Sequence, residues 1–125
     1  MCNSFHYLRG GAERCFLDLM ALMRDQGHEV VPFSMQHDLN LPSEYESYFV
    51  DHIDFPKLLE SGASLPTRLK AAGRLIHSRE AAGKIDRLIR DTRPDIAHVH
   101  GIAHEISPSI LPAIKSHGLP IVQTL

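Results

Sequence analysis

The run HVHGIAHE, residues 98–105, concentrates three imidazoles and a carboxylate. His98 and His100 stand two apart on a predicted strand, so both face one side of it near its carboxyl end. Two kinds of chemistry suit that pattern. H-x-H on a strand can begin a zinc or iron hydrolase site, with His104 as a third ligand and Glu105 as a carboxylate. The same imidazoles can instead hydrogen-bond a ligand or the backbone beside Gly101. A second stretch, Arg9-Gly10-Gly11-Ala12-Glu13, sits where a loop should hand over to a long helix. Adjacent glycines there let the backbone approach a ligand closely, and the helix N-terminus, with free N–H groups and the positive end of the macrodipole, favours a phosphate. A plain tight turn would use the same residues.

The elements around these stretches follow from periodicity. From Ala12 to Gln26 apolar residues recur at three- and four-residue spacing (Cys15, Phe16, Leu19, Met20, Leu22, Met23), which predicts an amphipathic helix closed by Gly27. HEVVPFS, residues 28–34, reads as a buried strand, residues 35–48 as a loop, and FVDHIDF, residues 49–55, as a weak strand. Two helical stripes follow, Leu69-Ala72-Leu75-Ile76 and Ala81-Ile85-Leu88-Ile89, the second capped by Ser78 and ended by Pro94. DIAHVHG, residues 95–101, is strand then turn. Ser107-Pro108 predicts a helix start, made irregular by Pro112, and PIVQTL is a final strand after Gly118. Strands alternating with helices imply a parallel sheet with right-handed crossovers, an α/β class.

Composition narrows the function classes. The chain has 125 residues, 43% hydrophobic and 22% charged, one domain's worth of a soluble globular type. It has no apolar run near 18 residues and no secretory signal pattern. Two cysteines, Cys2 and Cys15, fall short of a disulfide framework, and Cys15 is expected on the apolar helix face, so a reduced, cytoplasmic setting is expected. Net charge is −2, but residues 1–62 carry four Lys/Arg against ten Asp/Glu and residues 63–125 nine against five. Neither half has the basic density or the stacking aromatics of a nucleic-acid binder. The basic residues Arg68, Lys70, Arg74, Arg79, Lys84, Arg87 and Arg90 flank apolar stripes, a pattern shared by helices that approach anionic lipid and by ordinary helices with a solvated basic face.

Taken in order, NSFHYLRGGAERCFLDLMALMRDQGHEV, RPDIAHVHG and GLPIVQTL resemble the N-terminal domain of family-4 glycosyltransferases of the GT-B fold. The resemblance spans nearly the whole chain and is weakest over residues 35–78. It implies a Rossmann-like parallel sheet with helices on both faces, residues 1–125 forming the acceptor-side domain. It departs at both ends. Only Met1-Cys2 precede Asn3-Ser4-Phe5, so the first strand is expected to be cut short, which would leave a hydrophobic slot with unpaired backbone groups. The chain stops at Leu125, without the donor-binding domain.

The resemblance further implies retaining transfer of a sugar from a nucleotide-diphosphate donor to a glycan or lipid-linked acceptor, with no cofactor beyond that co-substrate and no metal. Gly10 and Gly11 would offer N–H groups to the donor phosphates, Glu13 would favour the helix dipole, and Arg9 would reach an anion or stay solvated. His98, His100 and His104 would border the cleft. A fragment without its second domain is expected to be inactive alone. Peripheral membrane contact, a homo-oligomer, and a non-catalytic nucleotide- or sugar-binding module are compatible readings.

Overall fold

The computed structural model describes residues 1–51, 64–66, 78–102 and 106–124. Helix α1 spans Gly11–Asp25, close to the predicted bounds. It ends where Gly27, at φ +84°, takes the left-handed conformation that glycine enters most cheaply. Its buried stripe is Phe16 and Met20, with Leu17 and Met23 partly covered beside them. That corrects the expected face. Cys15 and Leu22 are exposed, because the 16–20–23 row points at the sheet and the 15–22 row is turned roughly one residue, about 100° by helix geometry, away from it.

Helix α2 covers Arg79–Thr92, with Ala81, Ile85, Leu88 and Ile89 buried, the predicted stripe. Ser78 caps it as expected, its Oγ accepting from the Ala81 N–H at 3.1 Å. The helix ends before Pro94 as expected, with Arg93 as C-cap in the left-handed region at φ +47°. The preceding predicted stripe, over Leu69–Ile76, lies outside the described residues, as does most of the weak strand predicted at 49–55.

Strands β1 (Ala97–Val99) and β2 (Ile121–Gln123) pair in parallel, Ala97 opposite Ile121 and Val99 opposite Gln123. Helix α3, Ile110–Ser116, joins them. It does not begin at Ser107-Pro108. Ser107 sits at φ +76°, and its Oγ accepts from the Ser109 and Ser78 N–H groups at 3.3 and 3.4 Å. Those bonds hold the chain in a turn until Ser109, and Pro112 then falls in the first helical turn, where its missing N–H has no helical partner to lose.

Single parallel bridges widen this pair into a five-position ladder. Cys2 bridges Val99 on one side and Phe33 on the other, and Met35 bridges Val50. Across the sheet the order is therefore residue 50, residues 33–35, residue 2, β1, β2, the third, second, first, fourth and fifth segments of the chain. That is a doubly wound order, with the Met1–Ser4 segment central. Backbone bonds fix it: Cys2 N–H donates to the His98 carbonyl and His100 N–H to the Cys2 carbonyl, both at 2.8 Å. Phe33 N–H donates to the Met1 carbonyl at 2.9 Å and Asn3 N–H to the Phe33 carbonyl at 3.1 Å. The core beneath α2 and α3 gathers Phe33, Val50, Ile85, Leu88, Val99, Ile106, Ile110 and Ile114, and α1 covers the other face with Phe16, Met20 and Val30.

Candidate functional site

In a doubly wound sheet the crevice forms where strand order reverses, outside the carboxyl ends. Here that is the junction between the Met1–Ser4 segment and β1. The Arg9–Gly11 stretch follows the carboxyl end of the Met1–Ser4 segment, and His98, His100 and Gly101 stand at the carboxyl end of β1.

The junction is tied by residues that periodicity does not flag. Asn3 is buried, and its Oδ1 accepts from the Gly101 N–H at 3.1 Å while its Nδ2 donates to the Phe5 carbonyl at 2.9 Å. The Gly101 carbonyl accepts from the Ser4 N–H at 2.8 Å and from Ser4 Oγ at 2.6 Å. A Cβ at Gly101 would stand 3.3 Å from Asn3 Oδ1, so the glycine admits the close approach of the two loops. Ser34 Oγ donates to the Ser4 carbonyl at 2.8 Å, adding the second segment to the knot. The only sequence signal for this was the polar run NS placed at the end of a strand.

His100 is buried on the α1 face, its ring edge-on to Phe16 at 5.2 Å and stacked on His98 at 4.3 Å. Burial, then the neighbouring His98 and the Met1 ammonium, push its pKa down to about 4. The ring is therefore neutral at pH 7, and its Nε2 has no hydrogen-bond partner among the described residues. His98 is half-buried, its Nε2 2.8 Å from Thr124 Oγ1. Burial lowers its pKa too, with the Met1 ammonium adding to it. The spacing argument thus brought His98 and His100 together correctly. His104 and Glu105 lie outside the described residues, and among the described residues no three His, Cys, Asp or Glu groups are placed to hold a metal.

His6, which the sequence did not single out, is buried in the loop after the first segment. It lies edge-on to Phe49 at 5.6 Å and to Phe16 at 6.3 Å. Its Nδ1 also has no partner among the described residues, and burial, then Arg24, lowers its pKa. Two neutral histidines, His6 and His100, therefore flank Phe16 with one unmet ring nitrogen each.

Gly10 and Gly11 are exposed at the start of α1. Gly10 is the N-cap in extended backbone, φ −162°, and with no side chain it supplies no cap hydrogen bond. Neither glycine has positive φ among the backbone angles, so a tight turn does not demand them. A Cβ at Gly11 would meet nothing within 4 Å, and one at Gly10 only Glu13 Oε2 at 3.4 Å. The first N–H groups of α1 thus have no side-chain cap, and the Glu13 carboxylate lies beside Gly10. Arg9 does not join them through a hydrogen bond. Its guanidinium carbon lies over the Phe5 ring, 4.3 Å from the centroid, a cation–π contact.

The basic face of α2 is largely neutralised. Lys84 Nζ pairs with Glu80 at 3.0 Å and Asp51 at 3.2 Å, Arg87 with Asp91 at 3.7 Å, and Arg90 with Asp86. That matches a solvated helix face. No helix among the described residues is long and apolar enough to cross a membrane.

A doubly wound sheet with a glycine-led helix following its central segment defines an α/β domain of Rossmann-like type. The family whose pattern it carries is then settled by comparison. The model described as Glycosyltransferase Family 4 matches residues 9–125, and the chain belongs to that family. Neither a curated protein nor a solved structure matches it.

Proposed function

We propose that this chain is the acceptor-side domain of a glycosyltransferase that moves a sugar, with retention of anomeric configuration, from a nucleotide-diphosphate donor to a glycan or lipid-linked acceptor. Family membership supports the transferase class. The observation that carries the finer reading is the N-terminus of α1, where two exposed glycines without positive φ leave the first N–H groups without a side-chain cap and no atom lies within 4 Å of a Cβ at Gly11.

During transfer the bond from the anomeric carbon to the diphosphate oxygen breaks, a bond to the acceptor oxygen forms, and the acceptor hydroxyl loses its proton. Charge grows on the departing diphosphate, so fixed N–H donors aimed there lower the barrier. The α1 N-terminus supplies such donors. In this reading His98 and His100 stand at the neighbouring carboxyl end of β1, where His100, buried and neutral, presents no cation to the substrate. In this reading a second domain supplies the remaining donor contacts, and the 125-residue chain binds without turnover.

The test is titration of the isotope-labelled chain with a nucleotide-diphosphate sugar such as UDP-glucose or GDP-mannose, followed by amide NMR. The Gly11, Ala12 and Glu13 signals should move together. Gly11→Pro should keep the helix, since proline suits a first helical position after an extended residue, yet weaken binding about tenfold by deleting one charge-assisted N–H donor. Signals at α1 that ignore both nucleotides sink the donor-phosphate assignment. Measurable transfer by the chain alone sinks the half-enzyme reading.

A further inference from the structure

Two loops lie side by side at the carboxyl end of the sheet, one following the Met1–Ser4 segment and one following Met35. Leu41 N–H donates to the His6 carbonyl at 2.9 Å and Met35 N–H to the Ser4 carbonyl at 3.2 Å. The Tyr7 and His37 rings stack with centroids 4.7 Å apart. On these joined loops Leu8, Leu39 and Leu41 are 61%, 64% and 49% exposed.

The backbone holds these leucines outward. Asn40 N–H closes a turn onto the His37 carbonyl at 3.0 Å, Leu39 N–H donates to His37 Nδ1 at 3.1 Å, and Asn40 Nδ2 to the Met35 carbonyl at 2.8 Å. A turn corner favours small or polar residues, so the turn itself does not call for Leu39. Leucines fixed outward on neighbouring loops form an apolar patch of the kind that marks a binding surface.

The patch runs directly into charge. Leu8 is followed by Arg9 and then by Gly10-Gly11 at the start of α1. The Arg9 guanidinium is fixed over Phe5, whose ring is edge-on to Tyr7 at 5.5 Å. Stacking occupies the face of the guanidinium and leaves its in-plane N–H groups for an anion. Arg9 makes no ion pair among the described residues. At ~3.6 Å per residue, Leu8 and Gly11 are at most about 11 Å apart.

We propose that this surface binds a phosphate-bearing lipid, its apolar chain across Leu8, Leu39 and Leu41 and its phosphate on Arg9; its role as the acceptor rests on the transfer reading above. The order along the protein, apolar then cationic then glycine-led helix, matches the order along such a molecule: chain, phosphate, hydroxyl-bearing head. A free glycan would leave the leucines in water and gain nothing from them. A flat anionic bilayer would call on the basic face of α2, whose charges are already paired.

The experiment uses the isotope-labelled 125-residue chain and three probes: geranyl phosphate below its micelle concentration, geraniol, and inorganic phosphate. Geranyl phosphate should move the amide signals of Leu8, Arg9, Leu39 and Leu41 together. Geraniol should bind about tenfold more weakly, since it lacks the charge-assisted contact, and inorganic phosphate should move nothing at the same concentration. Arg9→Gln should abolish the difference between geranyl phosphate and geraniol. Leu39→Ser combined with Leu41→Ser should weaken both about tenfold or more, through lost apolar burial, with the α2 signals unmoved as the check that the fold is intact. No shift at millimolar geranyl phosphate, equal binding of geraniol by the wild type, or undiminished binding by the double variant each overturns the proposal. So does a response of these residues to phosphatidylcholine vesicles but not to geranyl phosphate, which would make the patch a bilayer contact. The donor-phosphate reading fails separately, at Gly11, Ala12 and Glu13 with the nucleotide sugars, and its failure leaves the lipid result standing.

Discussion

Acidification offers a quantitative test of how His100 sits in the fold. In the folded chain its pKa is lowered from 6.5 to about 4, first by burial and then by His98 and the Met1 ammonium. A histidine with a depressed folded value stabilises the protein fully above its unfolded pKa and loses that contribution as pH falls through the folded value. The window is therefore from about pH 6.5 down to about pH 4. Between roughly pH 7 and pH 4.5 the linkage integral gives a loss of about 2 kcal/mol at 1.36 kcal/mol per unit.

Urea unfolding followed by circular dichroism at each pH reads this directly. With a urea slope of about 2 kcal/mol/M, the midpoint of the wild-type chain should fall by roughly 1 M over that range from His100 alone. His98 and His6 are also lowered and add to the slope. The control is His100→Phe, which keeps a ring against Phe16 but cannot take a proton. Its pH profile should be flatter than the wild type by about 2 kcal/mol, because His98 and His6 remain in both chains. Parallel profiles for the two proteins would refute the burial of a neutral His100.

Arg93→Gly should stabilise the chain by about 1 kcal/mol, since Arg93 holds the left-handed C-cap of α2 at φ +47°, a conformation that glycine adopts without the Cβ penalty. An unchanged or lowered melting temperature would count against that cap. Ser78→Ala should destabilise by about 1 kcal/mol or slightly more, because it removes the acceptor for the Ala81 N–H at the buried start of α2. Denaturant unfolding checks it, and a loss under a few tenths would mean the cap contributes nothing net.

What the sequence determined by itself was the set of pieces and the family. The 16–20–23 spacing, Gly27, Ser78 and the Ala81-Ile85-Leu88-Ile89 stripe act within a few residues, so they state α1 and α2 locally. The order of glycine pair, GHEV, PDIAHVH and PIVQT carried the family, which the match over residues 9–125 bears out. Period-two placement likewise put His98 and His100 on one side of β1, and their rings stack.

Only the tertiary structure decided the rest, because it depends on contacts between residues far apart in the chain. The sequence placed Cys15 and Leu22 on the same apolar face as Phe16 and Met20, and only the sheet, which offers one surface, turned the 15–22 row to solvent. Ser107 reads locally as an N-cap, yet distant Ser78 draws it into a left-handed turn. The Asn3, Ser4 and Gly101 knot joins two segments of the sheet that are far apart in the chain, and burial first, then nearby positive groups, keeps the His6 and His100 rings neutral. A side chain's type and spacing fix what it can do nearby; its exposure, its charge state and its distant partners exist only once the sheet has closed around it.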